Sequence, residues 1–105
     1  MGENEEVEKN IVHVDEDLKE LIPMFLENRR QNIEDLQKLL AEKNYEEIEK
    51  LGHKIKGSGG GYGFDRVTEL GRDIEEAAAA EDHSSLQKSI EELAEYMEGV
   101  EIVYE

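Results

Sequence analysis

The sequence predicts an all-α fold, an antiparallel four-helix bundle preceded by a short helical or extended N-terminal lead-in. Three observations predict it. Four stretches repeat apolar residues at helical spacing. Short connections between them favour neighbouring helices that run in opposite directions. The chain holds one proline and is rich in Glu, Leu, Ala and Lys, a composition that favours helix. Its 105 residues, 37% of them hydrophobic, suffice for one domain with one modest core.

The elements follow in order. Residues 1–10, MGENEEVEKN, read as a disordered acidic lead, and residues 11–105 as the helical domain. Ile11 and Val14 are expected to tuck the lead-in against the core. Asp15 is a candidate N-cap. Leu18, Leu21, Ile22, Phe25, Leu26, Ile33, Leu36, Leu39 and Leu40 then recur on a helical stripe. Pro23 inside that stripe predicts a kink, or a short helix followed by a long one. Asn44 reads as the stop. The second stripe runs Tyr45, Ile48, Leu51, Ile55 and meets GSGGGYGF, residues 57–64. The third starts near Asp65, a candidate N-cap, with Val67, Leu70, Ile74, Ala77 and Ala78 inward. The run EDHSS, residues 81–85, offers a turn with N-cap chemistry. Leu86, Ile90, Leu93, Ala94 and Met97 form the last stripe, which Gly99 ends. In the tail, Val100, Ile102 and Val103 have the choice of packing at home or against a neighbour.

Bulk properties narrow the function. The net charge of −16 repels both a nucleic-acid backbone and an anionic membrane, so neither is an expected partner. Without cysteine there is no disulfide, thiolate chemistry or cysteine-based zinc site. The acidic start has no apolar core of a signal peptide, and Glu6 occupies the position where a myristoylation motif needs Ser or Thr. No apolar run nears the roughly 20 residues of a membrane span. The expected location is the cytoplasm. His13, His53 and His83 lie too far apart for metal-ligand spacing, and the carboxylate pairs Glu46/Glu47 and Glu75/Glu76 indicate no pocket.

One window departs from the acidic background. Residues 50–66, KLGHKIKGSGGGYGFDR, carry Lys50, Lys54, Lys56 and Arg66 against Asp65 alone, a local net charge of +3. Such an island suggests an anion site. If the second helix continues through the glycines, His53, Lys56, Gly57 and Gly60 share one face. That face would hold a nucleophile, a cation and two positions without side chains, where another backbone can come close. Ile55, Gly59 and Tyr62 would turn towards the core. Propensity opposes the continuation, because each interior glycine costs about 1 kcal/mol relative to alanine. On propensity alone the helix ends near Lys56 and GSGGG is a loop.

The window resembles the signature of the histidine-containing phosphotransfer domains of bacterial phosphorelays. In that signature His is followed by any residue, an aliphatic, Lys, Gly and small residues, with a further Gly ten residues after the His. Here these positions are His53, Lys54, Ile55, Lys56, Gly57, Ser58, Gly59 and Gly63. The flanks DEDLKELIPMFLENRRQNIEDLQKLL and LGRDIEEAAAAEDHSSL extend the resemblance over most of residues 11–105. It implies a four-helix bundle with helical glycines and an exposed His53 as phosphoacceptor. It further implies that Lys56 neutralises phosphoryl charge, and that Lys54, Gly57 and Gly60 meet the partner. The implied partners are response-regulator receiver domains and/or a histidine kinase. Mg²⁺ belongs to the receiver, so no metal or other cofactor is expected on this chain.

The residue types suit that chemistry. An unperturbed imidazole titrates near pH 6.5, so near neutrality it is largely an uncharged nucleophile. Phosphoryl transfer depends mainly on positioning and on electrostatic stabilisation of the moving group. The sequence has neither a G-x-x-x-x-G-K-[ST] loop nor the protein-kinase motif set, which points to a carrier rather than an enzyme with its own ATP site. Two other readings use the same bundle: a helical interaction module without chemistry, and the phosphoacceptor domain of a larger histidine kinase. Met1 and the acidic lead suit a free-standing protein. Neither the cognate partners nor the group that orients the imidazole is legible.

Overall fold

The computed structural model describes residues 10–105, so the expectation of disorder for residues 1–9 lies outside the described residues. Four helices carry the fold: α1 (Ile22–Ala41), α2 (Tyr45–Gly59), α3 (Asp65–Ala79) and α4 (His83–Glu98). The all-α reading is right, with a small ribbon added. Strands β1 (Asn10–Val14) and β2 (Val100–Tyr104) pair in parallel, Asn10 opposite Val100 and Val14 opposite Tyr104. The lead-in is therefore extended. Asn10, assigned on sequence to the acidic lead, begins β1, and the tail packs at home.

Alternation decides what the ribbon buries. Val12 and Val14 face the core at 5% and 1% exposure, whereas Ile11 stays 58% exposed. Val12, not Ile11, is thus the partner of Val14, because residues two apart share a strand face. Val100 and Ile102 are half-buried and Val103 is exposed.

A 3₁₀ turn, Glu16–Leu21, leads into α1, and the Asp15 carboxylate accepts from the Asp17 N–H as expected of a cap. Pro23 sits in the first turn of α1, where its missing N–H costs little. Of the two readings of Pro23, the short helix followed by a long one is correct. α1 ends three residues before Asn44. The αL position that closes it is Lys43 (φ 57°), and Asn44 instead caps α2, its side chain accepting from the Glu47 N–H. Asp65 is likewise displaced by one: Phe64 is the N-cap of α3, and Asp65 is the first helical residue, where its charge favours the helix dipole. Asp82 caps α4 through the Ser85 N–H.

Ile22, Phe25, Leu36, Ile48, Ile55, Phe64, Val67, Leu70, Ile74, Leu86, Ile90 and Leu93 form the core. Leu21 departs from its stripe and is 50% exposed. Position 29 of the same stripe holds a buried Arg, 6% exposed, whose guanidinium lies over the Phe25 ring. α2 and α3 pack closest. Gly71 makes this possible: a Cβ there would stand 2.7 Å from the Lys56 Cα. Gly52 and Gly59 face α3 in the same way, against the Glu75 N and the Phe64 O.

Candidate functional site

The helix does continue into the glycines. α2 runs to Gly59, a 3₁₀ turn follows over Gly60–Tyr62, and Gly63 closes it in the left-handed region at φ +88°. Tertiary contacts override propensity here. Ile55 and Gly59 are buried, and the Ser58 hydroxyl donates to the Ile55 carbonyl while accepting from the Arg29 guanidinium at 2.7 Å. Tyr62 and Phe64 anchor the following turn, their ring centroids 5.1 and 4.5 Å from that of Phe25.

His53 therefore lies mid-helix, with its side chain 68% exposed. The carboxylate of Glu75, from α3, bridges two α2 residues one turn apart. His53 Nδ1 lies 2.9 Å from Glu75 Oε2, and Lys56 Nζ lies 2.8 Å from Oε1. The hydrogen bond from Lys56 is the largest influence holding the Glu75 carboxyl below its ordinary range; desolvation opposes it, and the His53 bond adds to it. An ionised carboxylate only accepts, so Nδ1 is the donor of this bond, and in the neutral imidazole the lone pair is left on Nε2.

Among the residues singled out on sequence, His53, Lys56, Gly57 and Gly60 occupy one side of α2 and its 3₁₀ extension. Among the described residues, a Cβ at Gly57, Gly60 or Gly61 would meet nothing within 4 Å. Lys54 is exposed, but it lines a charged groove with Asp35, Lys38, Glu42 and Glu47 instead. Lys56 is not a free cation, since Glu75 holds it. The opposite side of His53 is acidic, with Glu46, Glu49 and Glu75 around Lys50.

Glu75 is the residue that sequence reasoning missed. The inward stripe of α3 gave only a weak sign, placing it next to Ile74 and one turn after Gly71. Nothing in the sequence joins positions 53 and 75 until α2 and α3 are packed. His13 and His83 stand apart from the site, bonded to Glu105 and to the Tyr45 hydroxyl. Among the described residues no three His, Cys, Asp or Glu side chains converge as metal ligands, and no helix is long and apolar enough to cross a membrane.

A mid-helix, exposed histidine beside a glycine run is the arrangement implied by the sequence resemblance. The family model of the Hpt domain matches residues 20–102. The chain belongs to the Hpt domain family. Comparison with curated proteins and with solved structures finds no match. Hpt domains act in histidine phosphotransfer within two-component phosphorelays, as carriers without an ATP site of their own, and they interact with receiver domains and kinases. The match spans α1 to α4 and includes His53, Lys56 and Glu75.

Proposed function

We propose that this chain is a phosphorelay intermediate: His53 accepts a phosphoryl group from a receiver aspartate or a kinase and passes it to another receiver domain. The observation that carries this reading is the exposed imidazole with Nδ1 bonded to Glu75 and, among the described residues, Nε2 unengaged. The Nε2 lone pair attacks the phosphorus of a receiver's aspartyl phosphate. The bond from phosphorus to the carboxyl oxygen breaks, and the carboxylate leaves with the electron pair. The Nδ1 proton stays between the ring and Glu75, so the cationic phosphoimidazole forms against a carboxylate. The reverse path hands the group on.

Lys56 is the cation nearest the incoming phosphoryl oxygens. Its pairing with Glu75 holds the ammonium in place in the resting state, and it offers remaining N–H donors as charge builds. Gly57 and Gly60 leave clearance for the partner's backbone, and Lys54 contributes positive charge at the margin. Mg²⁺ enters with the receiver, and the chain brings no metal or ATP site to the reaction.

The test mixes the protein with receiver domains preloaded with [³²P]phosphoryl from acetyl phosphate. Wild type takes up an alkali-stable, acid-labile label, and His53→Gln takes up none while keeping its helical circular dichroism. Equal labelling of His53→Gln would falsify the assignment. Stoichiometric labelling of pure wild type by ATP alone would show an enzyme rather than a carrier.

A further inference from the structure

A second feature of the same surface concerns how a partner is gripped. Arg29 sits on the inward stripe of α1 at 6% exposure. Nε donates to Asn32 Oδ1 at 2.8 Å and Nη1 to Ser58 Oγ at 2.7 Å, both neutral acceptors. Among the described residues no carboxylate pairs with it, in a chain with 28 acidic residues. Its neighbour Arg30 pairs with Glu27, and Arg66 with Glu69. The Phe25 ring face and two neutral acceptors are the partners of Arg29, which compensate a guanidinium withdrawn from water less fully than an anion would, and fixing Ser58 asks only for a neutral donor.

The surroundings indicate where an anion would come from. Arg29 lines a groove between the start of α1 and the end of α2, with Leu21, Met24, Gly57, Gly61 and Tyr62. Leu21 and Met24 are 50% and 68% exposed. Gly57 lies four residues after His53, about 6 Å along the helix axis, so the groove adjoins the imidazole. A rim that is mainly apolar, with Asn28 and Ser58 as its polar members, around one cation suits a single acidic side chain set among apolar ones, and a net charge of −16 disfavours a polyanion. Beyond His53 on the other side, Glu46 and Glu49 would repel the same group.

We propose that this groove seats an Asp or Glu side chain of the docking receiver domain, with Arg29 as its ion-pair partner and Leu21 and Met24 packing around it. The proposal rests on the relay reading above. It also sets the orientation of the docked domain: its acidic anchor lies towards α1 and away from Glu46 and Glu49.

The test uses whichever receiver domain from the source genome loads His53. Its affinity for each variant is measured by titration, and the transfer rate is measured at saturating receiver. Arg29→Gln weakens binding roughly tenfold or more. Raising salt weakens wild-type binding more steeply than that of the variant. Met24→Glu, at an exposed position that folding tolerates, places a carboxylate beside Arg29 and weakens binding even where Arg29→Gln is poorly folded. Wild-type affinity in Arg29→Gln or in Met24→Glu overturns the proposal. If receivers load His53 yet ignore both changes, the groove reading falls alone. If no receiver loads His53, both readings fall.

Discussion

Glu75 does two things at once, and they are separable by experiment. Its Oε2 fixes the proton of His53 on Nδ1, and its Oε1 holds Lys56. Glu75→Ala should lower the rate of His53 loading by about tenfold or more, tenfold to a hundredfold being the scale when a carboxylate behind a metal-ligating imidazole is lost. The ¹⁵N shifts of His53 should show a mixture of tautomers in place of the Nδ1–H form; an unchanged tautomer ratio would rule out positioning. The carboxyl is held below its ordinary value of 4.5, first by the Lys56 hydrogen bond. A lowered carboxylate pKa means the folded state binds fewer protons than the unfolded state. The stabilisation is complete above about pH 4.5 and disappears as pH falls through the lowered Glu75 value. Denaturation titrations between neutral pH and the acid limb should show a larger stability loss in wild type than in Glu75→Gln, the remainder in the variant including that of Asp82, whose carboxyl is lowered by its bonds to Ser85.

At the scale of elements, the glycines of α2 and α3 divide into two kinds. Gly52, Gly59 and Gly71 let the two helices touch, and a Cβ at any of them meets backbone atoms of the other side. Gly71→Ala should therefore cost about 1–3 kcal/mol by overpacking, read as a lower denaturation midpoint. Gly57 meets nothing and has helical neighbours on both sides. Gly57→Ala should raise stability by up to about 1 kcal/mol through helix propensity alone, yet slow transfer from a receiver, because a methyl group now stands beside the imidazole. A variant that is more stable and equally fast would remove the clearance role assigned to Gly57. The opposite signs distinguish a glycine kept for the partner from one kept for the core.

At the scale of the whole molecule, the two ends of the described chain close on each other. β1 and β2 carry Val12 and Val14 into the core, and the Asn10 N–H donates to the Gly99 carbonyl where α4 ends. Removing residues 100–105 leaves β1 without its partner strand and uncovers two buried valines. Thermal unfolding should shift to lower temperature. Loading of His53 well below the transition should persist, since the Glu75 bridge joins α2 to α3 and takes nothing from the ribbon. Loss of loading with an intact bundle would show that the ribbon reaches the site.

The sequence by itself determined the four helical stripes and the place of His53 with Lys56 and Gly57, because helix periodicity and local charge are written within a few residues of each position. It did not determine the fate of the glycine run. Propensity weighed against a helix, and only the burial of Ile55 and Gly59 with the Arg29–Ser58 bond reversed it. Cap positions slipped by a residue or more at Asn44 and Asp65, where αL residues and backbone bonds closed the turns. The parallel ribbon joins residues about 90 apart, and Glu75 reaches His53 across 22 positions. Contacts of that separation follow from how the helices pack, and packing depends on the shapes of all the faces together rather than on any one stretch of chain.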